Sequence, residues 1–233
     1  MAKSKKEEKH TGAEYLENPE LLREQLSRSE QFLESNKTVV FTVIGIIAVA
    51  IAGFFGYKYY KDTQNTEAQN AMYQAIYYFE SDSLDLALNG DGVNLGLTAI
   101  VDEYPGTPAA NLANYYAGVS FLKKGQFRPA QLYLEDFTSD DLLVQSRAYS
   151  LLGDVHMEQD DYAAALDYYQ RAADNNPTNE FTPVYLMQAA HAAELLGDTT
   201  TATDYYNRVI NDFPKSDKVN DAKKFMARLQ GVG

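Results

Sequence analysis

Apolar residues are laid out along the chain in distinct regimes. From Thr38 to Tyr57 they are nearly continuous: TVVFTVIGIIAVAIAGFFGY holds no charge and no proline and is bounded by Lys37 and Lys58. A helix of that length rises about 30 Å at about 1.5 Å per residue, the hydrocarbon thickness of a bilayer, so residues 38–57 are predicted to form a transmembrane helix. A cleaved signal peptide fits poorly. Thirty-seven residues precede the span, its apolar core is too long, and Phe54-Phe55-Gly56-Tyr57-Lys58 offers no small-residue cleavage site.

Before the span the pattern is weak. Residues 1–14 (MAKSKKEEKHTGAE) are charged and unpatterned, which predicts a disordered tail in which His10 has no role. Asn18-Pro19-Glu20 reads as a helix start, with asparagine at the cap and proline at the first turn. Leu22, Leu26, Phe32 and Leu33 give that helix a partly apolar face, for lying on membrane headgroups or for docking a cytoplasmic partner. Residues 1–37 are thus an arm with one short amphipathic helix.

Beyond the span, residues 58–88 hold neither glycine nor proline. Ala68, Ala71 and Ala75, with Tyr73, Tyr77, Tyr78 and Phe79, continue a helical period. This predicts a helical stalk running on from the membrane and merging into a degenerate first repeat, with a break at Asn89-Gly90-Asp91-Gly92. A calcium loop fails in either register there, placing Ala87 at a ligand position or Thr98 where a glutamate is needed, so the segment reads as a turn.

From residue 109 the sequence repeats itself. Gly118 and Gly153 are 35 apart, as are Phe127 and Tyr162, and Ala130 and Ala165; Ala165 and Ala202 are 37 apart, as are Tyr169 and Tyr206, and Pro177 and Pro214. Small residues at fixed offsets with such a period indicate stacked helical hairpins, because closely crossing helices cannot hold a large side chain at the contact. These residues resemble tetratricopeptide repeats. Ser146–Pro177 fits best, through Tyr149, Leu152, Gly153, Tyr162, Ala165, Tyr169, Ala172 and Pro177. Residues 111–137 and 183–214 fit less completely, the latter with Ala190 in place of the glycine and Thr199 in place of the aromatic. Residues 66–105 look like a degenerate first repeat with an insertion in its turn, and Lys215–Leu229 like a capping helix. The expected fold is all-α: one transmembrane helix, then, over 89–233, an α-solenoid of three to four hairpins with its cap.

In such repeats the first helix of each hairpin lines the binding groove. The resemblance places Leu112, Tyr115, Val119 and Leu122 there, then Arg147, Ser150, Asp154 and Met157, then Val184, Met187 and His191. Repeats that grip acidic chaperone tails need a set of lysine, asparagine and arginine at these places, where this chain has mainly tyrosine, valine, serine, aspartate and methionine. Tyrosine, leucine, valine and methionine suit a hydrophobic segment or partner helix, or else they fill the interior; both readings stay open.

Charge and composition narrow the function. The net charge of −13 is concentrated beyond the span: residues 62–233 carry eleven Lys and Arg against twenty-five Asp and Glu, a net of −14. Such a domain repels phosphate backbones, so nucleic acid is not expected as a partner. The chain has no cysteine, which excludes disulfides and thiolate metal sites. Lys3, Lys5, Lys6, Lys9, Arg23, Arg28 and Lys37 precede the span, while only Lys58 and Lys61 follow it before Lys123. That bias predicts a cytoplasmic amino end and an acidic domain on the other side. Within the span Gly45, Ala48, Ala52 and Gly56 make one small-residue face, a candidate packing face for another transmembrane helix. No ionisable residue lies in it, so it offers no proton or ion path.

The paired tyrosines (59-60, 77-78, 115-116, 168-169, 205-206) read as interhelix packing, and His156 as a core or boundary histidine. His191, alone on the presumed groove, makes neither a zinc site nor a catalytic base. No phosphate loop, nucleophile elbow or paired-histidine motif is present. The expectation is a non-enzyme without cofactor or metal.

Around the anchor, Glu34-Ser35-Asn36-Lys37, Gly56-Tyr57-Lys58-Tyr59-Tyr60 and the alanine-rich helix through Ala68, Ala71, Tyr73 and Ala75 resemble the YfgM-like ancillary subunits of the bacterial SecYEG translocon. The chain departs from them in its longer amino arm and more regular repeats. The resemblance implies a single-pass inner-membrane adaptor with a periplasmic repeat domain. Its implied partners are SecYEG, a PpiD-like membrane-anchored chaperone and emerging polypeptides. Two alternatives stand beside it: a stand-alone holdase for unfolded envelope proteins, and a cytoplasm-facing targeting or assembly receptor.

Overall fold

The computed structural model describes residues 19–231. The expected tail, His10 and the Asn18 cap lie outside the described residues. Among those described there are eleven α-helices and no strand, and the chain divides into two compact units, Met1–Tyr60 and Lys61–Gly233.

The first unit contains α1 (Pro19–Ser35) and the beginning of α2 (Lys37–Glu80). Asn36 joins them while keeping helical bonding: its backbone N–H donates to the Phe32 carbonyl at 3.0 Å, and its own carbonyl accepts from Val40 at 3.0 Å. Leu26, Phe32 and Leu33 of α1 are all exposed. Helix α2 is long and apolar enough to cross a membrane, with its most apolar window at a mean hydropathy of 2.6 and none of that window buried. A helix that exposes so many valines, isoleucines and phenylalanines allows a single-pass membrane anchor.

The second unit begins within α2. Ala68, Met72 and Ala75 are buried there, against Ala87 and Leu88 of α3 (Leu84–Asn89), Leu97 and Ile100 of α4 (Leu97–Glu103), and Ala109, Ala113 and Ala117 of α5 (Pro108–Lys123). Hairpins follow: α5 with α6 (Phe127–Glu135), α7 (Leu142–Glu158) with α8 (Tyr162–Asn175), and α9 (Thr182–Leu195) with α10 (Thr199–Asp212). Helix α11 (Val219–Leu229) closes the stack, putting Ala222, Phe225, Met226 and Leu229 against the last hairpin's core. An all-α repeat array with one long apolar helix near the amino end is what the periodicity predicts.

The first hairpin departs from its sequence reading. Helix α2 stops at Glu80, eight residues before the expected break, because Asp82 takes a left-handed conformation at φ 56°. Asp160, at φ 57°, and the glycines Gly125 and Gly197 hold the same place in the later hairpins. After each, an N–H reaches five residues back: Ser83 to Tyr78, Gln126 to Phe121, Asp161 to His156 and Asp198 to Ala193, all at 2.8 or 2.9 Å. This is one helix-terminating turn used four times. Aspartate tolerates the left-handed region better than most residues, so the signal at Asp82 is fainter than a glycine. The inserted residues around Gly90–Gly96 therefore interrupt the second helix of the first hairpin, between α3 and α4, and not its turn. There Asp91 organises the loop, accepting from the Val93 and Asn94 backbone amides at 2.8 and 2.7 Å and from Tyr78 Oη at 2.7 Å.

Close packing of each hairpin rests on small residues. A Cβ placed on Gly153 would lie 2.4 Å from the Tyr169 ring, and one on Gly118 2.6 Å from Leu134 Cγ. The tyrosine pairs split. Tyr169, Tyr205 and Tyr206 are buried, but Tyr59, Tyr60 and Tyr77 are 76, 58 and 58% exposed, as is Tyr73 at 78%. Residues 73 and 77 hold the register positions that Leu151 and Val155 hold in α7. The latter are buried, whereas among the described residues no hairpin precedes α2 to cover the former.

Candidate partner-binding face

The first helices of the three complete hairpins, α5, α7 and α9, share a face, and the polar contacts between them define it. Tyr169 Oη, from α8, and Gln188 Nε2, from α9, both donate to Asp154 Oδ1 of α7 at 2.9 Å. Ser150 Oγ, one turn back on α7, donates to Gln188 Oε1 at 3.1 Å. Burial raises the Asp154 carboxyl above the usual carboxylate range, opposed by the Tyr169 bond and by Arg147 and reinforced by Glu158 one turn further along. Burial also pushes the Tyr169 hydroxyl far above the ordinary tyrosine range, with the Asp154 charge adding to it.

Arg147 lies near titratable groups of all three helices. Its guanidinium lowers the Tyr115 hydroxyl of α5, the Tyr185 hydroxyl of α9 and the Asp154 carboxyl of its own helix, each of which burial raises. The arginine itself is exposed.

The groove residues expected from the repeat pattern fall into two groups. Leu112 and His191 are exposed, and Met157 and Met187 are half-buried at the margin of the last core cluster. Tyr115, Val119 and Leu122 are half-buried and lean into the core between α5, α6 and α7, Tyr115 with its ring centroid 5.1 Å from that of Phe137. Ser150 is completely buried and serves the Gln188 bridge. Gln188, Tyr169 and Tyr185 belong to the face but were not legible as such. The repeat register assigns them to packing positions, and only their hydrogen bonds and their proximity to Arg147 bring them in.

Other chemistry is sparse among the described residues. No group of three His, Asp or Glu side chains gathers there in a form that would hold a metal. His156 is 9% exposed; its Nδ1 lies 3.3 Å from Asp161 Oδ2 and its ring stacks on Tyr168 at 5.2 Å, which is a packed boundary position. A cleft of about 270 Å³ lies between Val101, Pro105, Thr107, Ala110, Asn114 and Asp136, with Asp136 the single charged side chain on its wall. Nothing in it brings a nucleophile, a base and an oxyanion donor together.

On α2, Gly45, Ala48, Ala52 and Gly56 fall within an arc of about 80°. Neither glycine has an atom of another element within 4 Å of where its Cβ would sit.

A family profile described as a tetratricopeptide repeat-like domain matches residues 30–222. The chain belongs to that family. The match begins before the apolar span and ends inside α11, so it takes in the long apolar helix and all the hairpins of this tetratricopeptide repeat-like protein. None of the curated protein sequences compared with it matches. Domains of this family are typically non-catalytic and act through protein partners, which agrees with a face built from packing residues and one polar bridge.

Proposed function

We propose that this protein is a membrane-tethered, non-catalytic adaptor that holds protein partners beside the SecYEG translocon. The observation that carries the reading is the joining, in the single helix α2, of an exposed apolar span to residues buried in a tetratricopeptide repeat array. A span without ionisable residues fixes location and supplies no transport path, while repeat arrays of this kind present side chains to other proteins. The residues flanking the anchor, which resemble those of YfgM-like subunits, favour the translocon and a PpiD-like membrane-anchored chaperone as the partners. The excess of lysine and arginine on the amino side of the span, seven residues against Lys58 and Lys61 beyond it, favours an amino end in the cytoplasm of a bacterium and a repeat domain in the periplasm.

Affinity purification from membranes in mild detergent, followed by mass spectrometry, tests this. SecY and a membrane-anchored chaperone should come down with the protein. Their absence, with unfolded envelope proteins recovered instead, would favour a stand-alone holdase. A protease-accessible tag after Gly233 in intact spheroplasts is expected; protection there would replace the adaptor with a cytoplasm-facing receptor.

A further inference from the structure

Asp154 is the one carboxylate of the α5–α7–α9 face that is both oriented and left half open. Its two hydrogen bonds fall on Oδ1, from Tyr169 and Gln188. Oδ2 accepts none, yet it is not among the fully enclosed atoms that lack a partner, so solvent reaches it. The cost of desolvating this side chain is borne in the fold, with the carboxyl held in place by groups from α8 and α9. A cation arriving at Oδ2 finds a fixed acceptor in a partly dried setting, where a charge-assisted hydrogen bond is stronger than in water.

The surroundings define the rest of the occupant. Met157 lies one turn beyond Asp154 on α7, and Met187 lies on α9 next to Gln188; both are half-buried and apolar. On α5, Leu112 is exposed and Tyr115 and Val119 are half-buried. Glu158, exposed on the same face of α7, adds a second negative charge. The net charge of −14 over residues 62–233 attracts a basic segment and repels an acidic one.

We infer that this face docks a partner protein segment by seating one lysine or arginine side chain on Asp154 Oδ2, with apolar side chains of the segment flanking it on the Met157–Met187 and Leu112–Tyr115 sides. The opposite polarity, an acidic side chain on Arg147, is disfavoured. Arg147 is exposed and water-screened, and the Asp154 carboxylate on its own helix already offsets part of its charge. In this arrangement Arg147 acts as an internal competitor that weakens the grip on a cation and narrows the choice of partner. The inference deepens the adaptor reading by naming the class of segment bound, and it does not depend on the translocon being the partner.

The test uses the full chain in phosphatidylcholine nanodiscs, with empty discs as the blank. Three short fluorescent peptides are compared, identical in their leucine and valine positions and carrying lysine, glutamine or glutamate at the centre. The lysine peptide should bind about tenfold or more tightly than the other two, the order expected for a charge-assisted bond, and its affinity should fall with added salt. Asp154→Asn, which keeps an acceptor for Tyr169 and Gln188, should abolish the preference while the thermal midpoint shows the domain still folded. Arg147→Gln, at an exposed position, should tighten lysine-peptide binding and supplies the reading should Asp154→Asn unfold the domain. Equal binding of the three peptides, no binding of any, a preference for glutamate, or a lysine preference that survives Asp154→Asn would each overturn the inference. None of these outcomes bears on recovery of SecY in mild detergent, so failure here and failure of the translocon reading are separable.

Discussion

The Asn65 side chain of α2 accepts a hydrogen bond from the Ala109 backbone N–H of α5 at 2.9 Å, across 44 residues of chain. The first N–H groups of a helix have no partner within it, and here one is met from another helix while Thr107 Oγ1 serves the next, at Ala110, at 3.1 Å. Lys61 Nζ donates to the Pro105 carbonyl at 2.7 Å just before the same helix. Within the second unit α2 is therefore keyed into the start of α5 by polar groups as well as by the alanine core.

Asn65→Ala should then behave as the loss of a helix cap. The expected cost is about 1 kcal/mol, a fall in thermal midpoint of about 2–4 °C for a domain of this size. Asn70→Ala, exposed on the other side of α2, should change it little. Circular dichroism melts of the detergent-solubilised chain would read both, and an equal effect of the two would refute the cap.

Gly153 faces a ring that has no room to retreat. Tyr169 is 3% exposed and its hydroxyl is held by Asp154, so the added methyl of Gly153→Ala overpacks the hairpin and should cost about 1–3 kcal/mol. In the next hairpin alanine stands natively at the equivalent position, Ala190, and is fully buried. There the Tyr206 hydroxyl bonds to Glu194 at 2.7 Å, a turn further along its partner helix than Asp154 lies along α7. Ala190→Gly should therefore give no relief and should lose about 1 kcal/mol of helix propensity. Urea titration of both variants checks this; a stabilised Ala190→Gly would show that the methyl is tolerated only under strain.

These two hairpins show what a sequence can and cannot reveal. The small-residue offsets at Gly118, Gly153 and Ala190 are a direct consequence of close helix crossing, so the repeat was legible from spacing alone. The turn of the first hairpin is hard to read because it uses Asp82 where the later ones offer a glycine or a second aspartate. Its inserted loop, rich in Asn and Gly, looked like the turn itself. Tyr77, as one of a tyrosine pair, reads as interhelix packing by its period, yet a period reports which residues share a face and not whether a neighbour exists to cover it. The candidate face was half legible for the same reason. Repeat register located Asp154, Met157 and Met187, but the bridge through Gln188 and Tyr169 depends on side chains crossing between helices.

Asp91 gives a pH signature with a definite sign. Hydrogen bonds from Asn94, first its backbone and then its side chain, and then from Tyr78 and Val93, hold its carboxyl well below the usual carboxylate range. A carboxylate whose folded value is depressed contributes stability that is complete above the unfolded value, near 3.9, and is lost as pH falls through the folded one. The difference in melting temperature between the native chain and Asp91→Ala should be constant from neutral pH down to about pH 5 and shrink below about pH 4. A gap that widens on acidification would mean that the loop is held by something other than this carboxylate.

The span poses the last question, whether it is more than an anchor. Gly45, Ala48, Ala52 and Gly56 leave one side of α2 low enough for a second helix to approach closely, and in hydrocarbon such packing replaces the hydrophobic drive that water supplies elsewhere. Replacing Ala48 and Ala52 together with leucine raises that side without adding polarity, so insertion should persist. The repeat unit lies outside the substitution and should keep its melting temperature. If the face packs against a partner's membrane helix, recovery of membrane-embedded partners in mild detergent should fall severalfold, whereas binding of soluble peptides to the repeat face should not change. Unaltered recovery would reduce the span to a tether and place all recognition on the helical hairpins.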